Sequence, residues 1–502
     1  MHRDDSTEKE RRRLSPDSTP AAGPRCRHHG FGLDAEPPGA RSATRRDFLK
    51  GTVLGAAALM AGPRLLGRTA RAGRPGGPRL TKVVRAFHPD ATTGWTTVNQ
   101  EPVDLMVQAA IKELTGIGNV GEAWKSLFPG IDATKKIAIK INLACGDVPT
   151  HPEVINAVID GLLAMDLGGQ TLPEEQIIVW DLDNPFFCPQ TGYTPNWGGP
   201  GVQYVGTDHP SLGHDTTVTV DVQHPLGVTT HHHPSKIITQ HCDYLINAAV
   251  IKDHNDSGVT LTMKNHYGSF DGIGVYPTHQ SGTYGDGHAR TEPALNAALR
   301  DQLGDKTALW LIDGTFGFYM GGPGYIPGYP SPPNWAYNSV IVGTDPVSVD
   351  RVGTMKINDE RRAHGLGELD PSHVAAAAGD PWYLGTDDPG EIDLVEVDAS
   401  DLTAAPLAAP GGVALLAPYP NPTRGACTLR LSCARDIDAE LSVVDARGRL
   451  VRRLAARRFA GGTHRLLWDG RGEDGRALAS GVYFARVRHA GGERRQRVVL
   501  VR

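Results

Sequence analysis

From Arg79 to about residue 400, short apolar runs alternate with segments in which apolar residues recur every three or four positions. The first pattern is typical of buried strands and the second of amphipathic helices. Their alternation favours an α/β fold with a largely parallel sheet. The predicted strands are 82–87, 136–142, 177–180, 309–312 and 339–342, and the predicted helices cover 103–114, 150–163 and the residues after Asp345 through Met355.

The helix near residue 150 has a clear start. Thr150 or His151 lies at the N-cap, Pro152 follows in the first turn, and Glu153 places a negative charge at the amino end of the helix. Each residue type is favoured at its position because the first backbone N–H groups of a helix have no partner within the helix. The sequence therefore predicts that this helix begins directly after the strand at 136–142.

The stretch 242–272 organises the chain. Its apolar run at 244–251 ends abruptly in Lys252, Asp253 and His254, and a block with Lys264 and Asn265 follows. Ligands of open α/β sheets bind outside the carboxyl ends of the strands, so the polar residues at these ends are expected to converge on one cleft. The strand-end residues are Lys140, Asn142, Asp181, Asp183, Lys252, His254, Asp313 and Asp345.

A second interpretation applies to the aspartates of this set. Each could simply cap the next helix or close a turn. We favour that interpretation for Asp181, Asp183 and Asp345 individually. For Lys140 and Lys252 it is harder to sustain, since lysine rarely lies beside buried apolar runs unless it is paired or used.

Residues 314–335 are rich in Gly, Pro and aromatic residues, which predicts a long loop. The loop is either a lid over the cleft or a packed irregular segment. Beyond the core, 402–417 reads as a Pro/Ala-rich linker. Short apolar runs separated by Gly-rich turns follow, at 428–432, 440–444, 466–468, 482–487 and 498–501.

This tail pattern predicts an all-β sandwich. The expected organisation is a leader at 1–72, an α/β core at 79–401, the linker at 402–417 and a β-sandwich at 418–502. We expect the sandwich to fold independently of the core.

The leader has the form of an export signal. Arg45 and Arg46 are followed by Asp-Phe-Leu-Lys, then by an apolar stretch at 51–62 and by an A-x-A motif that predicts cleavage after Ala72. The apolar stretch is well short of the about 20 residues that a membrane-spanning helix needs. These features predict export by the twin-arginine translocase.

Charge is distributed unevenly. The whole chain has a net charge of −5, but 79–409 contains 18 basic and 40 acidic residues, a net of −22, between two basic ends. Such a field argues against nucleic acid as a partner of the core. It is compatible with metal ions or cationic ligands, and equally with a role in solubility.

Cofactor motifs are limited. The six cysteines form no Cys-x-x-Cys pair, so the sequence contains no iron–sulfur cluster motif and no zinc ribbon. The cofactor is unknown, and a bound metal ion stays open. Asp253 and His254 are weak metal candidates, while the run at 231–233 of three histidines fits a solvated loop better.

The core resembles the family known as domain of unknown function 362. The resemblance covers about 82–378 and brings no established reaction; many relatives carry a ferredoxin-like module whose cysteines are absent here. The matching blocks are 139–143, 150–154, 243–247, 250–254, 258–260, 263–265, 312–314 and 343–350.

The tail resembles the sorting domain of type IX secretion, which is similar to the immunoglobulin-like module of flagellar hook-cap proteins. The resemblance implies passage through the periplasm, contact with the type IX secretion machinery, and a final place on the outer-membrane surface or outside the cell. Thr423 and Arg424 stand where relatives usually have Phe-Asn. The signature blocks are 419–422, 443–449, 468–470 and 479–484.

The candidate site combines cations with amides. Lys252, Lys264 and His254 are the predicted catalytic residues, since lysines held close together have lowered pKa values and can act as bases. The predicted ligand-binding residues are Lys140, Asn142, His151, Asn265, Asp313 and Asp345. Such a pocket suits a small carboxylate or phosphate.

The alternative interpretation is a set of structural salt bridges from these lysines to Asp313, Asp345 or Asp350. Three function classes stay open for the exported protein: an enzyme acting on a small anionic or metal-bound substrate, a ligand-binding or redox-accessory module, and a cell-surface scaffold without catalysis.

Overall fold

A computed structural model describes residues 80–502 apart from 144–147, 189–190, 200, 225, 273–286, 323–332, 403–411 and 420. The predicted signal residues Arg45 and Arg46 and the cleavage position after Ala72 lie outside the described residues. Within the described part, no helix is long and apolar enough to cross a membrane.

The core contains thirteen strands and eight α-helices among the described residues. The strands are β1 (Thr81–Phe87), β2 (Thr92–Thr93), β3 (Thr97–Val98), β4 (Ile137–Lys140), β5 (Ile177–Asp181), β6 (Gln203–Gly206), β7 (Val220–Gln223), β8 (Thr229–His232), β9 (Tyr244–His254), β10 (Gly258–Thr260), β11 (Thr307–Phe318), β12 (Ser339–Gly343) and β13 (Ile392–Asp398). The helices are α1 (Gln100–Thr115), α2 (Val120–Ser126), α3 (Pro152–Leu163), α4 (Lys236–Gln240), α5 (Thr262–Asn265), α6 (His288–Asp301), α7 (Pro346–Ala363) and α8 (Ser372–Ala378).

One sheet forms the centre of the core. In the described residues it has nine strands, in the order β13-β1-β12-β11-β9-β4-β5-β6, with β10 added to β9. Neighbouring strands are parallel except β12, which runs antiparallel to β1 and β11, and β10, which turns back along β9. The predicted α/β class with a largely parallel sheet is therefore confirmed.

Helices cover both faces of the sheet. Val250 and Leu311 face an apolar cluster that includes residues of α1, α2 and α3. The next residues along the two strands, Ile251 and Ile312, point to the opposite face and pack with α7. Since both faces are buried, the central strands are apolar throughout, as in other parallel sheets.

The predicted loop at 314–335 is wrong at its start, because β11 continues to Phe318. Glycine is needed inside this strand for close packing. A Cβ atom at Gly317 would lie 2.4 Å from the carbonyl oxygen of Ile251, and one at Gly314 would lie 2.7 Å from the Tyr337 ring. Residues 323–332, the centre of the predicted loop, lie outside the described residues.

The C-terminal region is all β, as predicted. Its strands are β14 (Val413–Tyr419), β15 (Cys427–Cys433), β16 (Ile437–Asp445), β17 (Leu450–Phe459), β18 (Gly462–Trp468), β19 (Gly481–His489) and β20 (Gly492–Leu500). Among the described residues they form one sheet in the order β14-β15-β18 and another in the order β17-β16-β19-β20. The strand β14 begins inside the segment that the sequence assigns to a linker.

The sandwich contacts the core through a buried charge cluster. Arg430 on β15 forms ion pairs with Asp104 on α1 and with Asp160 on α3, the second at 2.8 Å. Gln100 donates to Asp104 at 2.8 Å and to the carbonyl oxygen of Glu153 at 2.7 Å. This cluster ties the sandwich to the first turn of α3.

Candidate functional site

The carboxyl ends of β4, β5, β9 and β11 meet at one edge of the sheet because these strands are parallel. Lys140 ends β4 and Asp181 ends β5. The helix α3 begins at Pro152 with His151 as its N-cap residue, as the sequence predicts. We call this edge, with the side chains gathered there, the lysine edge.

Lys140 and Asp181 form a buried ion pair. The Lys140 Nζ lies 2.7 Å from Asp181 Oδ1 and also donates to the Ile141 carbonyl at 2.8 Å and to Asn265 Oδ1 at 3.3 Å. Asp181 in turn accepts from the backbone N–H of Leu143 and of Leu182, at 2.7 and 2.8 Å. Asp181 thus closes a turn, as we favoured, but it is also the counter-ion of Lys140.

Amide side chains connect this pair to the next lysine. Asn265 Oδ1 accepts from Lys140 and, at 3.4 Å, from Asn142 Nδ2. Asn265 Nδ2 donates to Asn247 Oδ1 at 2.8 Å and to the Lys140 carbonyl at 3.3 Å. All four hydrogen-bonding positions of the Asn265 amide are therefore occupied by protein groups, which fixes its orientation.

Lys252 lies at the other end of this network. Its Nζ donates to Asn142 Oδ1 at 2.9 Å, and its side chain is buried. Lys264 is buried on α5, with its Nζ 4.2 Å from the centre of the Tyr267 ring, a cation–π contact. The three predicted lysines thus have different kinds of contact, and Lys264 lies near the edge through its neighbour Asn265.

The aspartates of the salt-bridge alternative have other roles. Asp350 accepts hydrogen bonds from the Thr262 N–H and hydroxyl and from the Met263 N–H, at 2.6–2.9 Å, and burial raises its pKa to about 7. Asp313 binds His151, and the described ion pair of Lys140 is with Asp181.

His151 and Asp313 form a second polar pair at the lysine edge. Asp313 Oδ2 accepts from the backbone N–H of His151 at 2.7 Å and lies 2.8 Å from its Nδ1. Asp313 Oδ1 accepts from the N–H and the hydroxyl of Thr315, at 2.9 and 2.7 Å. Asp313 is fully buried, whereas the His151 side chain keeps 15% of its surface exposed.

His254 and Asp253 support the turn from β9 to β10 and a neighbouring segment. His254 Nδ1 accepts from the N–H groups of Asp256 and Ser257, at 3.1 and 3.2 Å. The Asp253 carboxylate accepts from the N–H groups of Gly321 and Gly322, at 3.0 and 2.7 Å. In the described residues, no group of three or more His, Cys, Asp or Glu side chains is arranged to hold a metal ion.

The structure does not bring Asp345 to this edge. Its Oδ1 caps α7 by accepting from the Ser348 N–H at 2.9 Å, and its Oδ2 accepts from the Thr386 N–H at 3.3 Å. Because β12 is antiparallel, Gly343 at its end pairs with Trp310 near the start of β11. The expectation that Asp345 converges with the other residues is wrong for this reason.

The three histidines at 231–233 do not lie in a solvated loop. His231 and His232 belong to β8, and His232 is buried while His231 is exposed and contacts Asp221 at 2.7 Å. The alternation of a strand separates the two rings onto opposite faces.

Sequence reasoning missed a buried pair on α6. His288 Nδ1 lies 2.8 Å from Glu292 Oε1 and 3.1 Å from the Tyr267 hydroxyl. Burial by itself would raise the pKa of Glu292, but the charges of His288, His373 and Lys264 lower it to about 2. The i, i+4 spacing of His and Glu on a helix was the available signal. Asn247 was missed too, since an Asn within an apolar run carries no obvious role.

A large cavity lies elsewhere in the molecule. Its volume is about 840 Å³, and core and sandwich both line it, through Leu163, Glu174, Leu415, Phe484 and Arg497 among others. None of the predicted site residues contributes to its wall.

Comparison with known families supports the resemblance of the core and, for the tail, the resemblance to an immunoglobulin-like module. Residues 137–355 match the family described as domain of unknown function (DUF362), and residues 423–493 match the FlgD Ig-like domain. The chain thus contains a DUF362 domain and an Ig-like domain. No curated protein matches the chain.

Solved structures match short parts of the chain. Latent PorU from Porphyromonas gingivalis matches at 20% identity over 22% of this chain and 10% of its own, with a TM-score of 0.16. FlgD from P. aeruginosa matches at 18% identity over 15% of this chain and 63% of its own, with a TM-score of 0.14. PorZ, a surface component of the type IX secretion system of Porphyromonas gingivalis, matches at 25% identity over 18% of this chain and 12% of its own, with a TM-score of 0.13.

Proposed function

We propose that this is an exported protein of the cell surface or the extracellular medium, whose DUF362 domain binds a small anionic ligand at the lysine edge. The observation that carries the proposal is the gathering of Lys140 and Lys252 at the carboxyl ends of parallel strands, with Lys264 on α5 beside Asn265, in a network of oriented amides. Ligands of open α/β sheets bind at this edge.

The charges of the network favour an anion. Lys140 pairs with the Asp181 carboxylate, Lys264 lies over the Tyr267 ring and its charge helps to lower the pKa of Glu292, and Lys252 donates to the Asn142 amide. Positive charge clustered in a poorly hydrated site interacts strongly with a carboxylate or phosphate.

A thermal-shift and calorimetry experiment tests the proposal. We expect at least one of phosphate, sulfate, acetate, succinate and citrate to stabilise the full chain. Lys252→Met should abolish that effect, and the loss of its hydrogen bond to Asn142 should lower the free energy of unfolding by about 1.5–3 kcal/mol, the usual contribution of a hydrogen bond to a charged group.

Lys125→Met is the matched control, since it removes the same charge from α2, where Lys125 donates to the Asp166 carbonyl. It should leave anion binding unchanged. A wild-type protein that none of the five anions stabilises, combined with a large loss of stability in Lys252→Met, would show that the lysines are structural.

We propose export through the twin-arginine translocase, guided by Arg45 and Arg46. Replacing both by Lys keeps the charge but removes the guanidinium groups of the motif, so precursor should accumulate in the cytoplasm. Arg64→Lys with Arg68→Lys is the charge-conserving control outside the motif. Normal periplasmic levels of the first variant, measured by fractionation and immunoblotting, would contradict the signal assignment.

The Ig-like domain is proposed to address the protein to the type IX secretion machinery. A fluorescent protein placed between residues 1–79 and 412–502 should reach the outer surface, where added protease degrades it. The same fusion without 412–502 should stay in the periplasm, protected from protease. Equal protection of the two fusions would argue against sorting by this domain.

A further inference from the structure

We infer that His151 is the acid–base residue of the lysine edge: Asp313 holds its ring, and its Nε2 exchanges a proton with the bound anionic ligand. The inference rests on the proposed anion site and adds a chemical role to it.

The contacts around His151 fix the position of the ring proton. Asp313 uses Oδ2 for the backbone N–H and the Nδ1 of His151 and uses Oδ1 for Thr315. The Thr315 hydroxyl lies 3.0 Å from Nδ1 and donates its own proton to Asp313, so it can only accept from Nδ1–H. In the neutral ring the proton therefore lies on Nδ1, and Nε2 has the lone pair.

Nε2 is the ring atom left for a ligand. No described residue forms a hydrogen bond with it, and the exposed part of the side chain distinguishes His151 from the buried Asp313. A buried carboxylate that orients one ring nitrogen, with the other directed to the reacting group, is the general arrangement of a histidine base.

His151 and Lys252 share one edge and one face of the sheet. The backbone N–H of Thr150 donates to the Asn142 carbonyl at 2.8 Å, and the backbone N–H of Asn142 donates to the Thr150 hydroxyl at 2.9 Å. These bonds hold Thr150, the residue before His151, against Asn142, which accepts from Lys252. In the β9–β11 register Asp313 pairs with Val250. Lys252 follows Val250 by two residues, so it lies on the same face, about 7 Å further along.

The charges facing His151 come from two elements: Asp313 on β11 and Glu153 on α3. Burial by itself would lower the pKa of His151, but the charge and hydrogen bond of Asp313, with a contribution from Glu153, raise it. When neutral His151 takes a proton from an acidic group of the ligand, the resulting imidazolium is stabilised by Asp313, and the same proton can be returned. The cycle requires no other reactant.

Nitrogen NMR of the histidine-labelled full chain tests the inference, with His151→Gln assigning the signals. The neutral ring should carry its proton on Nδ1. Asp313→Asn should lower the titration midpoint by about 1–3 pH units, as expected for loss of a nearby opposite charge. Glu153→Gln, a matched change of the carboxylate that contributes less to the pKa of His151, should lower it less.

Sulfate is the probe that tests whether anion binding at the lysine edge is coupled to protonation of His151, because sulfate itself does not titrate between pH 5 and 9. Sulfate should raise the His151 midpoint, and by linkage its affinity should fall by up to about tenfold per pH unit above that midpoint. A neutral ring protonated on Nε2, or Lys252-dependent sulfate binding that leaves the His151 midpoint unchanged, would overturn the inference and leave anion binding intact. If none of the five anions binds the wild type, the proposed function fails and this inference fails with it.

Discussion

Replacing Arg430 by Met is expected to lower the free energy of unfolding by about 3–5 kcal/mol, the usual cost of removing one partner of a buried ion pair. Arg430 is 3% exposed and contacts two buried carboxylates, those of Asp104 and Asp160. Without its guanidinium, both carboxylates stay buried and lose the cation with which they form ion pairs. Burial already raises the pKa of Asp104 although the Arg430 charge opposes it.

The size of the loss should depend on pH. A carboxyl whose pKa in the folded state exceeds its pKa in the unfolded chain binds protons preferentially when folded. Its stability contribution is present below the unfolded pKa and is lost as pH rises through the folded value. Removing Arg430 raises the folded pKa of Asp104 further, so the deficit should be larger at pH 8 than at pH 5.

Urea titrations at the two pH values measure this prediction. Arg465→Met is the control, because Arg465 makes an exposed ion pair with Glu101 across the same contact between sandwich and core. Exposed pairs contribute about 0–1 kcal/mol. Equal losses for the two variants, or an Arg430→Met deficit that shrinks at pH 8, would show that the buried cluster does not stabilise the protein as described.

The same cluster bears on the boundary between the domains. Hydrophobic patterning predicts a sandwich that folds independently, and a chain ending near Asp401 measures what the contact with the sandwich contributes to the stability of the core. Such a chain keeps Asp104 and Asp160 but loses Arg430. We therefore expect the chain ending near Asp401 to melt below the full chain even if the sandwich folds alone. A lower melting temperature would not by itself show that core and sandwich fold as one unit.

Local signals predicted much of the core. The apolar run of β9, the proline and carboxylate in the first turn of α3, and the strands β4 and β5 all follow from residues within one element. Strand direction could not be predicted in this way, because nothing within residues 339–343 specifies whether that strand runs parallel or antiparallel to its neighbours. The misplacement of Asp345 follows from that missing information.

Composition also misled the prediction of two sandwich strands. β17 contains four arginines and two alanines in ten residues, with no regular alternation, because much of it is exposed. β14 lies in a segment whose Ala and Pro residues suggest a linker, although Val413 and Leu415 are buried in the sandwich core. In both cases the contacts that define the strand come from distant parts of the chain.

The sequence predicted where the candidate site lies, but not which of its side chains contact one another. Polar residues at strand ends located the lysine edge, since parallel strands bring their carboxyl ends together. The sequence could not say that Asp181 pairs with Lys140 and that Asn142 faces Lys252. These partners are 41 and 110 residues apart, and side-chain orientation decides both contacts.

Because Lys140 is paired with a buried carboxylate, we expect Lys140→Met to lower the stability of the protein strongly. Lys140 is 1% exposed and its Nζ donates to Asp181, Ile141 and Asn265. Its loss leaves the Asp181 carboxylate buried, although the N–H groups of Leu143 and Leu182 still stabilise the charge. We expect a loss of about 3 kcal/mol, the lower end for a broken buried pair.

A double-mutant cycle separates the ion pair from the packing. Asp181→Asn removes the stranded charge, so Lys140→Met with Asp181→Asn should be more stable than the sum of the single losses predicts, with a coupling energy of about 0.5–3 kcal/mol. Lys252→Met serves as the comparison at the same edge, since the proposed function assigns Lys252 to the ligand and its main loss should be anion binding. The opposite result would contradict this assignment: Lys140→Met would be nearly as stable as wild type but would no longer bind the anion, and Lys252→Met would be strongly destabilised. In that case Lys140 would contact the ligand, and Lys252 would be the lysine on which the fold depends.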